Sequence, residues 1–171
     1  MTRINITQSF SLALACAALC SNAPLRAAEQ VPFKASLHGF AVSDTPEPPD
    51  CANCPIHTIA VELDGHATIL GRFHDELIHH LNLQTLAFTG TSTLTTANGD
   101  SISTEFHGQL YPTDDPEWLT FDVFHTIVGW TGRFKGASGS FVGVGGRFNL
   151  VTGEDIAGYV GTISSPGSLT K

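Results

Sequence analysis

The chain has 171 residues, 42% of them hydrophobic and only 14% charged, with 8 Lys and Arg against 16 Asp and Glu and a formal charge of −8. That is one domain's worth of polypeptide, enough for a single core, and its acidity argues against a nucleic-acid partner, whose phosphates such a surface repels. Low charge, 17 glycines and no sustained apolar spacing of three and four argue against a helical bundle and favour half-buried strands joined by turns.

In chain order, residues 1–28 read as a cleaved signal peptide. Arg3 supplies a positive start, Phe10 to Cys20 an eleven-residue apolar run, and Ser21 to Ala28 a small-residue cleavage region. The run is too short to span a bilayer but fits a secretory leader. Ala13-Leu-Ala-Cys16 is a partial lipobox without its leading Leu, which keeps a lipoprotein as the alternative. The expected mature chain is exported, periplasmic or extracellular, with no integral membrane segment. Loss of Arg3 and Arg26, with no acid removed, takes its charge to −10.

The domain is expected over residues 29–165, followed by a flexible tail at 166–171. A first strand near Phe33–Val42 leads to a proline-rich loop holding Cys51 and Cys54. In an oxidising compartment a disulfide is the default for this pair. The alternatives fit less well. A redox site needs a helix N-terminus to lower the thiol pKa, haem attachment needs a His where Pro55 stands, and zinc with His57 lacks a fourth local ligand. Ile59, Val61 and Leu63 then alternate with polar residues, a turn is expected at Asp64-Gly65, and strands follow at His66–Phe73 and Glu76–Leu83, the latter with Leu77, His79, Leu81 and Leu83 on one face. Thr85–Thr96 runs into Ala97-Asn-Gly-Asp100, the pattern of a type I′ hairpin. Ser101–Tyr111 sets Ile102, Phe106 and Leu110 against Glu105, His107 and Gln109. Leu119–Val128 sets Leu119, Phe121, Val123, His125 and Ile127 on one side. The glycine-rich run Gly129–Phe141, strand-bending in composition, precedes strands at Phe141–Val151 and Ile156–Ser164. About eight strands at this spacing imply an all-β, single antiparallel eight-stranded barrel.

Gly129–Phe141 (GWTGRFKGASGSF), Ala97–Asp100 (ANGD), Tyr159–Gly167 (YVGTISSPG) and Ala67–Arg72 (ATILGR) together resemble a group of exported bacterial proteins with an allene oxide cyclase-like barrel. Ile69 stands where that group has a His. The resemblance covers about residues 57–167 and implies an eight-stranded barrel with a cavity. Its namesake enzymes cyclise a fatty-acid epoxide without metal or cofactor, and other barrels of this shape bind ligands. No cofactor and no metal is expected here.

Among individual residues, His125 sits in an apolar row, where burial would keep its imidazole neutral and able to move a proton; a core histidine bonded to its surroundings is the alternative. Glu105 and His107 share a strand face. If that face lines the lumen, Glu105 is a candidate general acid or base; if it faces water, the pair is a solvated surface. Arg72, Arg133 and Arg147 are candidates for holding a ligand carboxylate, with carbonyl or acid partners the alternative for Arg133. Tyr111, Tyr159, Trp118 and Trp130 are candidates to line a cavity. The histidines show no spaced metal motif: His79 and His80 are adjacent, so they face opposite sides of a strand. The functional expectation is a barrel that binds a small apolar or amphipathic molecule, or alternatively a cofactor-free cyclase or isomerase using Glu105 or His125.

Overall fold

The computed structural model describes residues 29–51 and 53–164; the expected signal peptide and the 166–171 tail lie outside the described residues. Eight strands follow one another: β1 Val31–Pro46, β2 Ile56–Ala67, β3 Gly71–Asn82, β4 Ala87–Thr96, β5 Ser101–Pro112, β6 Trp118–Trp130, β7 Ser138–Asn149 and β8 Glu154–Ser164. Each pairs antiparallel with the next, and β8 returns to β1, with Val31 opposite Ile163 and Phe40 opposite Glu154, so the sheet closes into a barrel. Closure leaves no free sheet edge.

Alternation decides what fills the interior. Leu77, Leu81, Ile102, Phe106, Leu110, Val123, His125 and Ile127 are all buried, while Glu76, Glu105, His107 and Thr126 on the same strands are exposed. These rows follow the faces expected from the sequence, except that Leu83, expected beside Leu77 and Leu81, lies past the end of β3 and is exposed.

Two turns differ from expectation. Asp64-Gly65 is not a turn: β2 continues to Ala67, residues 68–70 make the connection, and the two strands expected between 66 and 83 are one, β3. Gly65 stays in the strand opposite Phe73, and a Cβ there would lie 2.6 Å from the Phe73 ring. The glycine seats a ring; it is Gly71, at φ +73°, that completes the reversal. At Ala97–Asp100 a hairpin forms, but Leu86 is the one non-glycine residue with positive φ among the described residues, so Asn98 does not take the I′ conformation. Its side chain accepts from Thr96 Oγ1 (2.5 Å) and donates to Asp100 Oδ2 (2.8 Å), holding a wider loop.

The pairing of glycine with an aromatic residue recurs around the barrel. Phe88 faces Gly108, Phe106 faces Gly90, Phe121 faces Gly146 and Phe141 faces Gly161. Each ring can lie flat over a strand that offers no side chain, which pulls it to the wall and away from the axis. At Gly108 a Cβ would stand 2.2 Å from Phe88 Cζ and 2.4 Å from the Asp122 carbonyl oxygen. The carbonyl is backbone and cannot yield, so Gly108→Ala is expected to destabilise the barrel by about 1–3 kcal/mol, read by urea unfolding.

The barrel has unlike ends. One carries residues 68–70, 97–100 and 131–137 and is sealed by Phe134 from the 3-10 turn Gly132–Phe134, packed with Phe33, Leu70, Ile102 and Ile163, all essentially inaccessible. Arg133 beside it donates to the Leu70 carbonyl (3.1 Å), lies 3.9 Å from Asp100 and covers the Phe134 ring. The other end carries residues 47–55, 83–86, 113–117 and 150–153. There Cys51 and Cys54 form the expected disulfide, Cα–Cα 5.4 Å, and Glu47 bonds His80 Nδ1 (2.6 Å) and the Thr58 hydroxyl.

Candidate ligand cavity

The half of the lumen toward the second end is not filled. A cavity there is lined by Ile59, Val61, Leu77, Leu81, Leu110 and Val123, by the rings of Phe88, Phe106, Phe121, Phe148 and Tyr159, and by His79, His125 and Asp155. Its non-atom space is ≈ 600 Å3 counting the mouth, of which ≈ 50 Å3 admits the centres of water-sized spheres. The outermost lining residues, Ile59, Phe121 and Phe148, are partly solvent-exposed, so the cavity opens at this end.

Four polar groups interrupt the apolar lumen. His125, from β6, bonds Thr104 Oγ1 through Nδ1 (2.9 Å), stacks on Phe141 at 4.7 Å and approaches Phe106 and Tyr159 at 5.0 and 4.8 Å. His79, from β3, approaches Phe106 at 5.1 Å and Phe88 at 5.4 Å. Asp155, from β8, is buried. Asp75, from β3, is fully buried and accepts from the Ser92 hydroxyl (2.5 Å). One atom of each, Asp75 Oδ2, Asp155 Oδ1, His79 Nε2 and His125 Nε2, is shielded from solvent with no protein partner. Buried polar atoms are nearly always paired, which sets these four apart from the rest of the interior; Asp155, His79 and His125 line the cavity, and Asp75 lies outside its lining.

Burial sets the charge state of these groups. It pushes the Asp75 carboxyl up to about 7, against the opposing Ser92 hydrogen bond. Asp155 also rises to about 7, by burial first and the Asp75 carboxyl second, with His38 opposing. Burial lowers His79 to about 4, helped by His80, and His125 to about 3, helped by His79 and His107. The Tyr159 phenol is raised well above its usual range by burial and the two carboxyls. Near pH 7 the lumen therefore holds neutral imidazoles and carboxyls that burial has moved far above the usual carboxylate range.

The residues singled out in the sequence divide. His125 and Tyr159 line the cavity. Glu105 and His107 face outward and are exposed, so the condition for Glu105 to act inside the lumen is not met. The reason is the pleat: with Thr104 and Phe106 buried, the residues at 105 and 107 must point to solvent. Arg72 is exposed on the outer side of β3, and Tyr111 and Trp130 are 44% and 42% exposed at opposite ends of the barrel. Arg147 lies over the Trp118 ring at 4.3 Å. No arginine or lysine lines the cavity. Asp155 escaped the sequence reading because its strand was started at Ile156; the alternation Asp155, Ala157, Tyr159 carried the signal. His79 lies in the row expected with Leu77 and Leu81, whereas Asp75 precedes the strand start expected at Glu76 and joins that row only because β3 begins at Gly71.

Fold and cavity define a class: a closed, antiparallel eight-stranded barrel with an aromatic lumen that carries buried acids and imidazoles. No family model and no curated protein matches the chain. Among solved structures, a pterocarpan synthase dirigent protein is similar, with a TM-score of 0.51 and 17% identity over 85% of this chain and 92% of that one. At that identity the likeness shows the fold.

Proposed function

We propose that the chain is an exported barrel that binds a small, largely apolar molecule in its lumen. The observation that carries this reading is the set of three unpartnered polar atoms, Asp155 Oδ1, His79 Nε2 and His125 Nε2, facing a cavity otherwise lined by rings and aliphatic side chains. A few well-placed polar groups in an apolar pocket are the usual composition of a small-molecule site. The enclosed ≈ 50 Å3 with the open mouth beside it suits a compact ligand better than a long acyl chain. Export is supported by the Cys51–Cys54 disulfide and by the leader-like composition of residues 1–28; among the described residues no helix is long and apolar enough to cross a membrane. The resemblance to exported allene oxide cyclase-like barrels supports the same reading.

Ala157, buried and lining the cavity, gives the test. Benzyl alcohol titrated into the protein is expected to shift the amide resonances of lumen residues on β3, β5, β6 and β8, and Ala157→Leu, by filling the space, to abolish those shifts. Shifts that persist unchanged in Ala157→Leu would place the ligand elsewhere and end the proposal.

A second reading is favoured by the two carboxyls raised to about 7 beside neutral imidazoles. Groups poised at neutral pH give and take protons with least driving-force penalty, and a closed lumen holds a reactive molecule in one conformation away from water. Cofactor-free cyclisation or isomerisation is the reaction class this suits, with Asp155 and His125 as the proton-handling pair. The similar solved barrel is by name a synthase, which supports chemistry as well as binding.

A further inference from the structure

We infer that the lumen selects organic cations, a protonated amine carried on a single-ring or short alkyl body, over neutral and anionic molecules of the same shape. This rests on the proposal that the lumen is a ligand site, and it specifies the charge that the site is built for.

Three independent features converge. The first is an acid without a counter-ion. Asp155 lines the cavity with Oδ1 unpartnered, Asp75 Oδ2 lies buried and unpartnered nearby in its electrostatic field, and among the described residues no Lys or Arg lines the space, its two imidazoles being neutral. A buried carboxylate is costly unless a positive group or strong donor meets it. The second is the wall. Phe88, Phe106, Phe121, Phe148 and Tyr159 surround the same space, and aromatic faces attract ammonium groups, most strongly where water is excluded. Glycines stand opposite Phe88, Phe106 and Phe121, and Phe88 packs edge to face with the other two rings in this wall.

The third feature is the approach. Asp44, Glu47, Asp50, Asp114, Asp115, Glu117 and Glu154 stand at or near the open end; among the described residues the one Lys or Arg there is Arg147, stacked on Trp118, while His57, His80 and His38 pair with Asp44, Glu47 and Glu154. Lys34, Arg72, Arg133 and Lys135 are all toward the sealed end. A cleft rimmed by one sign of charge concentrates ions of the other sign and repels its own. A fatty-acid carboxylate would thus be opposed at the rim and again at the floor.

A bound ammonium also favours the ionised carboxylate. The groups that face or act on Asp155 are Asp75 and His79 from β3, His125 from β6, Tyr159 from β8 and, from the outer side of β1, His38 paired with Glu154 at 2.8 Å. With the lumen imidazoles uncharged above pH 5, the two acids are the lumen groups that change the affinity between pH 6 and 8. Amine affinity is expected to rise over that interval and proton release to accompany binding at pH 6.5.

The test compares three molecules of nearly equal shape, 2-phenylethylamine, 2-phenylethanol and 3-phenylpropionate, by calorimetry and amide shifts at pH 7.5. The amine is expected to bind at least about tenfold tighter than the alcohol, a difference of about 1.4 kcal/mol, and the carboxylate weakest. Asp155→Asn, which keeps the shape and removes the charge, should reduce the ratio of amine to alcohol affinity to about one; its thermal unfolding reports that the fold is intact. Alcohol binding equal to amine binding, or an amine affinity indifferent to Asp155→Asn, would overturn the cation selectivity and leave the lumen as a ligand site. Failure of all three to bind would overturn both readings.

Discussion

Replacing Asp75 and Asp155 together by Asn is expected to turn a nearly flat pH–stability profile into a steep one. The carboxyls titrate near 7 in the folded barrel and near 3.8 when unfolded, so between those values the folded state holds more protons on them and stability falls as pH rises. The imidazoles titrate near 4 and 3 in the fold and near 6.5 when unfolded, so the unfolded state holds more protons on them and stability rises with pH up to 6.5. From about pH 4 to 6.5 the two pairs oppose each other group for group. Each contributes a slope of about 1.4 kcal/mol per pH unit at most.

Removing the acids leaves the imidazoles unopposed. The double Asn variant should lose stability on acidification below 6.5 at up to about 2.7 kcal/mol per pH unit, and it should exceed the parent at pH 8, where both carboxyls would otherwise be buried ionised. The converse variant, His79→Gln with His125→Gln, should slope the other way, losing stability as pH rises from 4 to 7. Urea midpoints at half-unit intervals from pH 4.5 to 8 decide it. Parallel profiles for parent and double Asn variant would mean that the acids are not held protonated by the fold.

Phe134→Ala is expected to cost about 3–5 kcal/mol, the range for deleting a buried aromatic side chain. Phe134 is completely inaccessible and closes one end of the barrel. Its position is fixed by a short turn, with its amide bonded to the Thr131 carbonyl (3.1 Å) and its own carbonyl accepting from Ala137 (2.8 Å). The flanking residues Gly132 and Gly136 take positive φ values of 52° and 80°, conformations that other residues resist. Phe33, Ile102 and Ile163 around it are held in strands in register and cannot follow the lost ring. Phe40→Ala, at a residue 47% exposed on the outer face of β1, is the control and should change the unfolding midpoint little. Equal losses in the two variants would mean that the sealed end contributes no special stability.

Much of the barrel was legible in the sequence because a period of two is unambiguous where both faces are marked. Leu119, Phe121, Val123, His125 and Ile127 read as one row, while the side taken by Glu105 and His107 stayed open until the barrel placed Thr104 and Phe106 inside and turned the pair to solvent. What misled was glycine. The Asp64-Gly65 pair has the composition of a turn, yet Gly65 is there to receive the Phe73 ring, and a ring's partner across a sheet cannot be named until the register is known. The acids were hidden for a related reason. Asp75 and Asp155 lie on strands that are not neighbours, β3 and β8, and only closure of the barrel brings their fields together. A single strand's pattern shows that an aspartate points inward, but it holds no information on what it meets there.

β1 starts and β8 finishes side by side, Val31 against Ile163, on the face stoppered by Phe134. A tether or fusion partner attached at either end of the barrel therefore hangs from the blind side, leaving the entrance unobstructed. The same adjacency would let a short linker join the two ends, and new ends cut into an exposed hairpin would yield a rearranged chain with the same lumen.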